Sequence, residues 1–90
     1  MYSVLFETKF KKDFKLAKKR GLKIPLLEEV LKILSEKGKL PSKYKPHLLK
    51  GNYTGYWECH IESDWLLIWK QDDEIKLVSL TRTGTHSDLF

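Results

Sequence analysis

Between residues 8 and 38 the apolar residues recur at helical spacing, and from residue 53 onward they recur at strand spacing. That segregation is the strongest limit on the fold. Alternating β and α patterns would make a parallel α/β sheet, whereas helices followed by strands require an α+β arrangement with the helices stacked on a mostly antiparallel sheet. Ninety residues leave room for one such domain, 1–90, with a radius of gyration of about 12 Å.

The opening residues Tyr2 to Glu7 alternate and carry β-branched and aromatic side chains, which predicts a strand. Thr8 is the expected N-cap of a helix in which Phe10, Phe14 and Ala17 form one stripe, and Lys18-Lys19-Arg20 suit its C-terminal dipole before Gly21. Pro25 opens a second helix, with Leu27, Val30, Leu31 and Leu34 at helical spacing until Gly38 ends it. Lys39 to Asn52 contains Pro41, Pro46 and Gly51 and reads as an irregular crossing segment that holds His47. Tyr53 to Ile61, Trp65 to Lys70 and Ile75 to Thr81 then read as three strands of an antiparallel meander, giving the order β-α-α-β-β-β.

Cys59 is the only cysteine, so no disulfide can form within the chain, and a reducing, cytoplasmic location is expected. Met1 to Glu7 lacks a basic leader, and no apolar run approaches ~18 residues, so neither secretion nor a membrane partner is expected. The net charge of +5 and pI near 9.3 favour polyanionic partners. Lys9, Lys11, Lys12, Lys15, Lys18 and Lys19 crowd the first helix with Asp13 as the lone acid, a pattern that fits either a solvated face or phosphate contacts.

The tail Arg82-Thr83-Gly84-Thr85-His86-Ser87-Asp88-Leu89-Phe90 collects a cation, an imidazole and an aromatic where small domains usually fray. In the strand ending at Ile61, the two-residue period puts Tyr56, Glu58 and His60 on the more polar face and Trp57, Cys59 and Ile61 on the core side. Asp64 sits in the turn that follows, where it can approach His60. His86 and Phe90 reach the same region if the tail folds back, with Gly84 permitting the bend.

Such a set can cleave RNA without a metal. One group takes the 2′-hydroxyl proton, another protonates the leaving 5′-oxygen, tasks that imidazoles suit near neutral pH, and Arg82 stabilises the phosphoryl charge through its planar fork. The plain alternatives are a loop-capping His47, a surface His60 held by Glu58 or Asp64, a turn-forming Asp64 and an Arg82 paired with Asp64 or Asp88. His86 is harder to explain structurally. Phe90 can plug the core or stack on a base, Trp65 and Trp69 suit the core, and Tyr53 and Tyr56 suit base stacking beside the polar face. A metal site built from His60, Asp64 and His86 lacks the usual ligand spacing. A non-catalytic basic RNA- or DNA-binding module explains the lysines but not the His60, Asp64, Arg82 and His86 set.

Four segments together resemble the YafQ-type toxins of bacterial type II toxin–antitoxin systems, within the RelE-like ribonuclease superfamily. They are Tyr44-Lys45-Pro46-His47-Leu48-Leu49-Lys50-Gly51, Gly55-Tyr56 followed by His60, Asp64-Trp65-Leu66-Leu67-Ile68, and Arg82-Thr83-Gly84-Thr85-His86. The resemblance implies an endoribonuclease that needs no metal or other cofactor, cuts messenger RNA in the ribosomal A site, and is neutralised by a cognate antitoxin that also makes most of the operator DNA contacts. Carried over by position, the implied active-site residues are His47, His60, Asp64, Arg82, His86 and Phe90. His86 would be the general acid, Arg82 the transition-state stabiliser, His60 and Asp64 the base-side or orienting pair, and Phe90 the stacking or positioning group. Either His47 or His60 could be the base.

Overall fold

A computed structural model describes residues 1–90. The elements are β1 (Ser3–Phe6), α1 (Thr8–Lys19), α2 (Ile24–Lys37), β2 (His47–Leu48), β3 (Trp57–Glu62), β4 (Trp65–Asp72), β5 (Leu77–Gly84) and α3 (His86–Leu89), with 3-10 turns at Ser42–Tyr44 and Gly51–Tyr53. They form a five-stranded sheet in the order β1-β5-β4-β3-β2, antiparallel except where β1 runs parallel to β5. This is the expected α+β class, with a radius of gyration of 12.1 Å.

Both long helices cover one sheet face. Phe10 and Ala17 of α1 and Leu27, Val30 and Leu34 of α2 pack with Cys59, Ile61, Trp65, Leu67, Trp69, Val78 and Leu80 of the strands. The spacing i, i+3, i+7 along α2 puts its three residues on one stripe, and each buried leucine there contributes roughly 1.5–3 kcal/mol of transfer free energy. Trp57 stacks on its cross-strand partner Trp69 at 6.1 Å. Gly38 ends α2 in the left-handed conformation, and a side chain there would collide with the Tyr2 ring. Tyr2 fixes β1 beneath that turn: its amide donates to the Ser35 carbonyl and its hydroxyl donates to Asp73.

Four local expectations need correction. Glu7, rather than Thr8, occupies the N-cap position of α1, without a side-chain cap. The crossing segment contains β2, whose two residues are too few to display a period and which forms by pairing with β3. Tyr53 to Tyr56 is a turn rather than the start of a strand: Gly55 has φ +91 and the Tyr56 amide donates to the Tyr53 carbonyl. The last strand begins at Leu77 and runs through Gly84, past Thr81, because Asp72 accepts from the Glu74 and Ile75 amides and holds Ile75 in the preceding turn. The tail after Gly84 is a short helix closed by a capping box, where Thr85 accepts from the Asp88 amide and the Asp88 carboxylate accepts from the Thr85 amide.

Candidate active site

The second face of the sheet is only partly covered, and it carries the ionisable side chains. Register aligns His47, Glu58, Ile68 and Arg82 in one row across β2, β3, β4 and β5, and His60, Leu66 and Gly84 in the next. A minor apolar cluster of Leu66, Ile68 and Leu89, bordered by Leu49, Tyr53 and Tyr56, supports this face from within.

Asp64, in the two-residue turn between β3 and β4, joins the tail to the sheet. Its Oδ1 accepts from the His86 backbone amide at 3.0 Å and from His86 Nδ1 at 2.7 Å. Those bonds, the backbone one first, hold the Asp64 carboxyl below the ordinary carboxylate range. A carboxylate only accepts, so the ring carries its proton on Nδ1 and presents Nε2 to the exterior. The His60 ring lies 5.9 Å from the His86 ring, centroid to centroid, and its Nδ1 faces the Ser63 carbonyl at 3.4 Å. His60 therefore also turns Nε2 outward. The tail does fold back, as the sequence requires for a joint site.

Phe90 does not plug the core. It is 63% exposed and meets Tyr53 edge-on at 5.6 Å, while Tyr53 meets Tyr56 edge-on at 5.8 Å. Leu89 is the plug, 7% exposed against Leu66 and Ile68. Sequence reasoning missed this assignment because either terminal apolar residue fits the pattern.

Arg82 pairs with neither Asp64 nor Asp88. Its Nε and Nη2 donate to Asp13 at 2.6 and 3.2 Å, and Asp13 Oδ2 also accepts from the Thr83 amide. The paired carboxylate raises the Arg82 pKa further above its ordinary value. Asp13 is thus a structural partner of the site cation rather than a stray acid on a solvated face. Its place on the Phe10 side of α1 was a usable signal, since a lone acid at the rim of an apolar stripe faces the sheet rather than water. Thr83 adds support from the covered side, accepting from Trp65 Nε1 and donating to the Leu66 carbonyl.

His47 belongs to a different set of contacts. Its Nε2 lies 3.2 Å from Glu58 Oε1, and its Nδ1 donates to the Lys45 carbonyl at 2.9 Å. Glu58 lies on the expected polar face yet is only 5% exposed, because β2 and His47 cover it. His60, Asp64 and His86 do not converge into a group of three side chains able to hold a metal ion. Cys59 is fully buried on the covered face, and desolvation pushes its thiol up to about 12.

All six lysines of α1 are exposed, but they divide. Lys9 lines a groove of about 600 Å³ with Glu7, Tyr53, Tyr56, Thr81 and Arg82. Lys12, Lys15, Lys18 and Lys19 surround Leu16 on a separate surface. Only Lys9 borders the groove that contains Arg82.

A profile of the family described as "Bacterial toxin of type II toxin-antitoxin system, YafQ" matches residues 2–90. The mRNA interferase toxin YafQ of Escherichia coli K12 is 41% identical over 86 residues, covering 94% of this chain and 91% of the relative. The crystal structure of YafQ from E. coli BL21(DE3) superposes with a TM-score of 0.92 at 37% identity, over 100% of this chain and 99% of the other. YafQ in the E. coli DinJ–YafQ complex gives 0.90 at 38% identity with the same coverage. Sequence and fold agree over essentially the whole chain: it belongs to the YafQ family of bacterial type II toxin–antitoxin toxins.

Proposed function

We propose that this chain is the toxin of a type II pair and a metal-independent endoribonuclease that cuts messenger RNA held in the ribosomal A site. The observation that carries the chemistry is the His86–Asp64 pair beside His60, with two Nε2 atoms facing outward on the Arg82 face. His60 Nε2 takes the 2′-hydroxyl proton as O2′ attacks phosphorus. The P–O5′ bond breaks, and protonated His86 gives its Nε2 proton to the leaving 5′-oxygen. The products are a 2′,3′-cyclic phosphate and a 5′-hydroxyl. Arg82 stabilises the charge on the non-bridging oxygens. Phe90, exposed beside Tyr53 and Tyr56, stacks on a base, and Lys9 contacts the backbone nearby.

His60 suits the base better than His47 because His47 is engaged at both ring nitrogens and is not in contact with the His86 pair. The remaining lysines, Lys11, Lys12, Lys15, Lys18 and Lys19, suit ribosomal RNA rather than the cut strand. The complex of E. coli YafQ with DinJ supports a cognate antitoxin as this chain's partner, with operator DNA bound mainly through that complex. Cytoplasmic action follows from a ribosomal target.

Primer extension on a defined message in a translating extract tests this reading. Wild type should give in-frame A-site cuts with cyclic phosphate ends, and His86→Ala should lose them by roughly 10²–10⁴-fold. An intact message in both reactions, with RNA still bound, would establish a binding module instead.

A further inference from the structure

A four-residue helix cannot hold its own geometry, since isolated helices far longer than α3 are marginal in water. The orientation of His86 must therefore be imposed from outside α3. Leu89 anchors it to the sheet at one point, and Asp64 meets His86 at a second. A third attachment comes from α1. Arg20, at the C-cap of α1, donates through Nη1 and Nη2 to Asp88 Oδ2 and Oδ1 at 2.6 and 3.2 Å. The same Asp88 carboxylate accepts from the Thr85 amide that begins α3. Gly84 makes this approach possible, because a Cβ there would come within 2.9 Å of Asp88 Oδ2.

The second ion pair of this seam is Asp13–Arg82. Asp13 and Arg20 are seven residues apart on α1, close to two full turns, so both face β5 and α3. Both pairs line one cavity of about 200 Å³ with Ala17, Thr83 and Gly84. Their polarity is crossed: the helix supplies the acid to Arg82 and the base to Asp88.

We propose that Arg20 and Asp88 are positioning residues, and that with Asp13–Arg82 they make α1 a two-point clamp fixing His86 relative to the phosphate bound by Arg82. This inference rests on the ribonuclease reading for its catalytic consequence, though not for its geometry. Without the fork, α3 pivots about Leu89 and Asp64, and His86 Nε2 leaves its line to the 5′-oxygen. Misplacement by about 1 Å costs up to ~10²-fold in turnover.

The test uses the full chain with Arg20→Gln, Asp88→Asn and the double variant, on ribosomes carrying a defined message. Arg20→Gln should melt above the assay temperature, keep KM within about two-fold, and lower kcat by about ten-fold, with partial recovery in Arg20→Lys. The double variant should be no slower than Asp88→Asn, because both changes remove one interaction. The His86 ring signals should shift in the NMR spectrum of Arg20→Gln, and the Phe90 amide should exchange faster.

A folded Arg20→Gln with wild-type kcat and unmoved His86 signals would overturn the clamp, as would losses that simply multiply in the double variant. Should Asp88→Asn not fold, Arg20→Gln decides alone, since it leaves the capping box intact. A wild-type protein that cuts nothing refutes the ribonuclease reading. The ring shift and amide exchange still decide the clamp in that case.

Discussion

The two faces of the sheet are built from the same strands and behave as different materials. On the helix-covered face, alternate residues of β3 and β4 are Trp57, Cys59, Ile61 and Trp65, Leu67, Trp69, all in or packed against the main core. On the other face the intervening positions hold Glu58 and His60, and β5 adds Arg82. A shift of pairing by one residue would exchange the two sets. Register therefore protects the open-face set as much as the packing: a bulge between His60 and Glu62 shifts the pairing by one residue, and the adjoining turn at Ser63-Asp64 supplies the His86 partner.

Three measurements press on this contrast, in descending size of effect. Cys59 lies on the dry face with its thiol pushed up to about 12, against roughly 8.5 for a free thiol, so native protein at pH 8 should react with a thiol reagent at least ~10³-fold more slowly than a free cysteine. Reaction at the free-thiol rate before unfolding would show that this face is open. Leu34→Ala, a cavity beneath the sheet, should cost ~2–5 kcal/mol in denaturant unfolding while the folded fraction keeps the wild-type cleavage pattern. Altered cut positions would mean that the faces are mechanically coupled.

The third measurement concerns the open side alone. The bond from Arg20, and then that from the Thr85 amide, hold the Asp88 carboxyl well below the usual carboxylate range. Its stabilisation is complete above about pH 5, where an unfolded aspartate is almost wholly ionised, and is lost as pH falls below that toward the lower folded value. Protection of the Leu89 and Phe90 amides, relative to a free peptide at each pH, should stay level from pH 7 to about 5 and decline only in stronger acid. A decline between pH 7 and 5 would assign the latch to another group.

Element type was legible wherever a period could repeat. Phe10, Phe14 and Ala17, the α2 leucines and the Trp65, Leu67, Trp69 series each state their structure several times over. His47-Leu48 states it once, and its strand exists only because Glu58 and Trp57 lie opposite. The same holds in the site. His60, Asp64 and His86 could be grouped from chain-local cues such as a turn, a strand end and a glycine bend. Asp13–Arg82 spans 69 residues and Arg20–Asp88 spans 68; the Phe10 stripe turns Asp13 toward the sheet, but nothing near any of the four residues identifies its partner.

The parallel pairing of β1 with β5 has a consequence for the order in which the molecule assembles. β2, β3 and β4 pair through near neighbours in sequence, whereas β1 has no partner except β5, more than seventy residues away at Ser3 and Leu77. Closing so long a loop is the entropically slow step. The strand that performs it is the one that bears Arg82 and leads into His86. A chain that has not closed this loop therefore has an open β5 edge and lacks the Asp13–Arg82 and Arg20–Asp88 pairs, so the sheet is completed and Arg82 and α3 are tied to α1 in the same event.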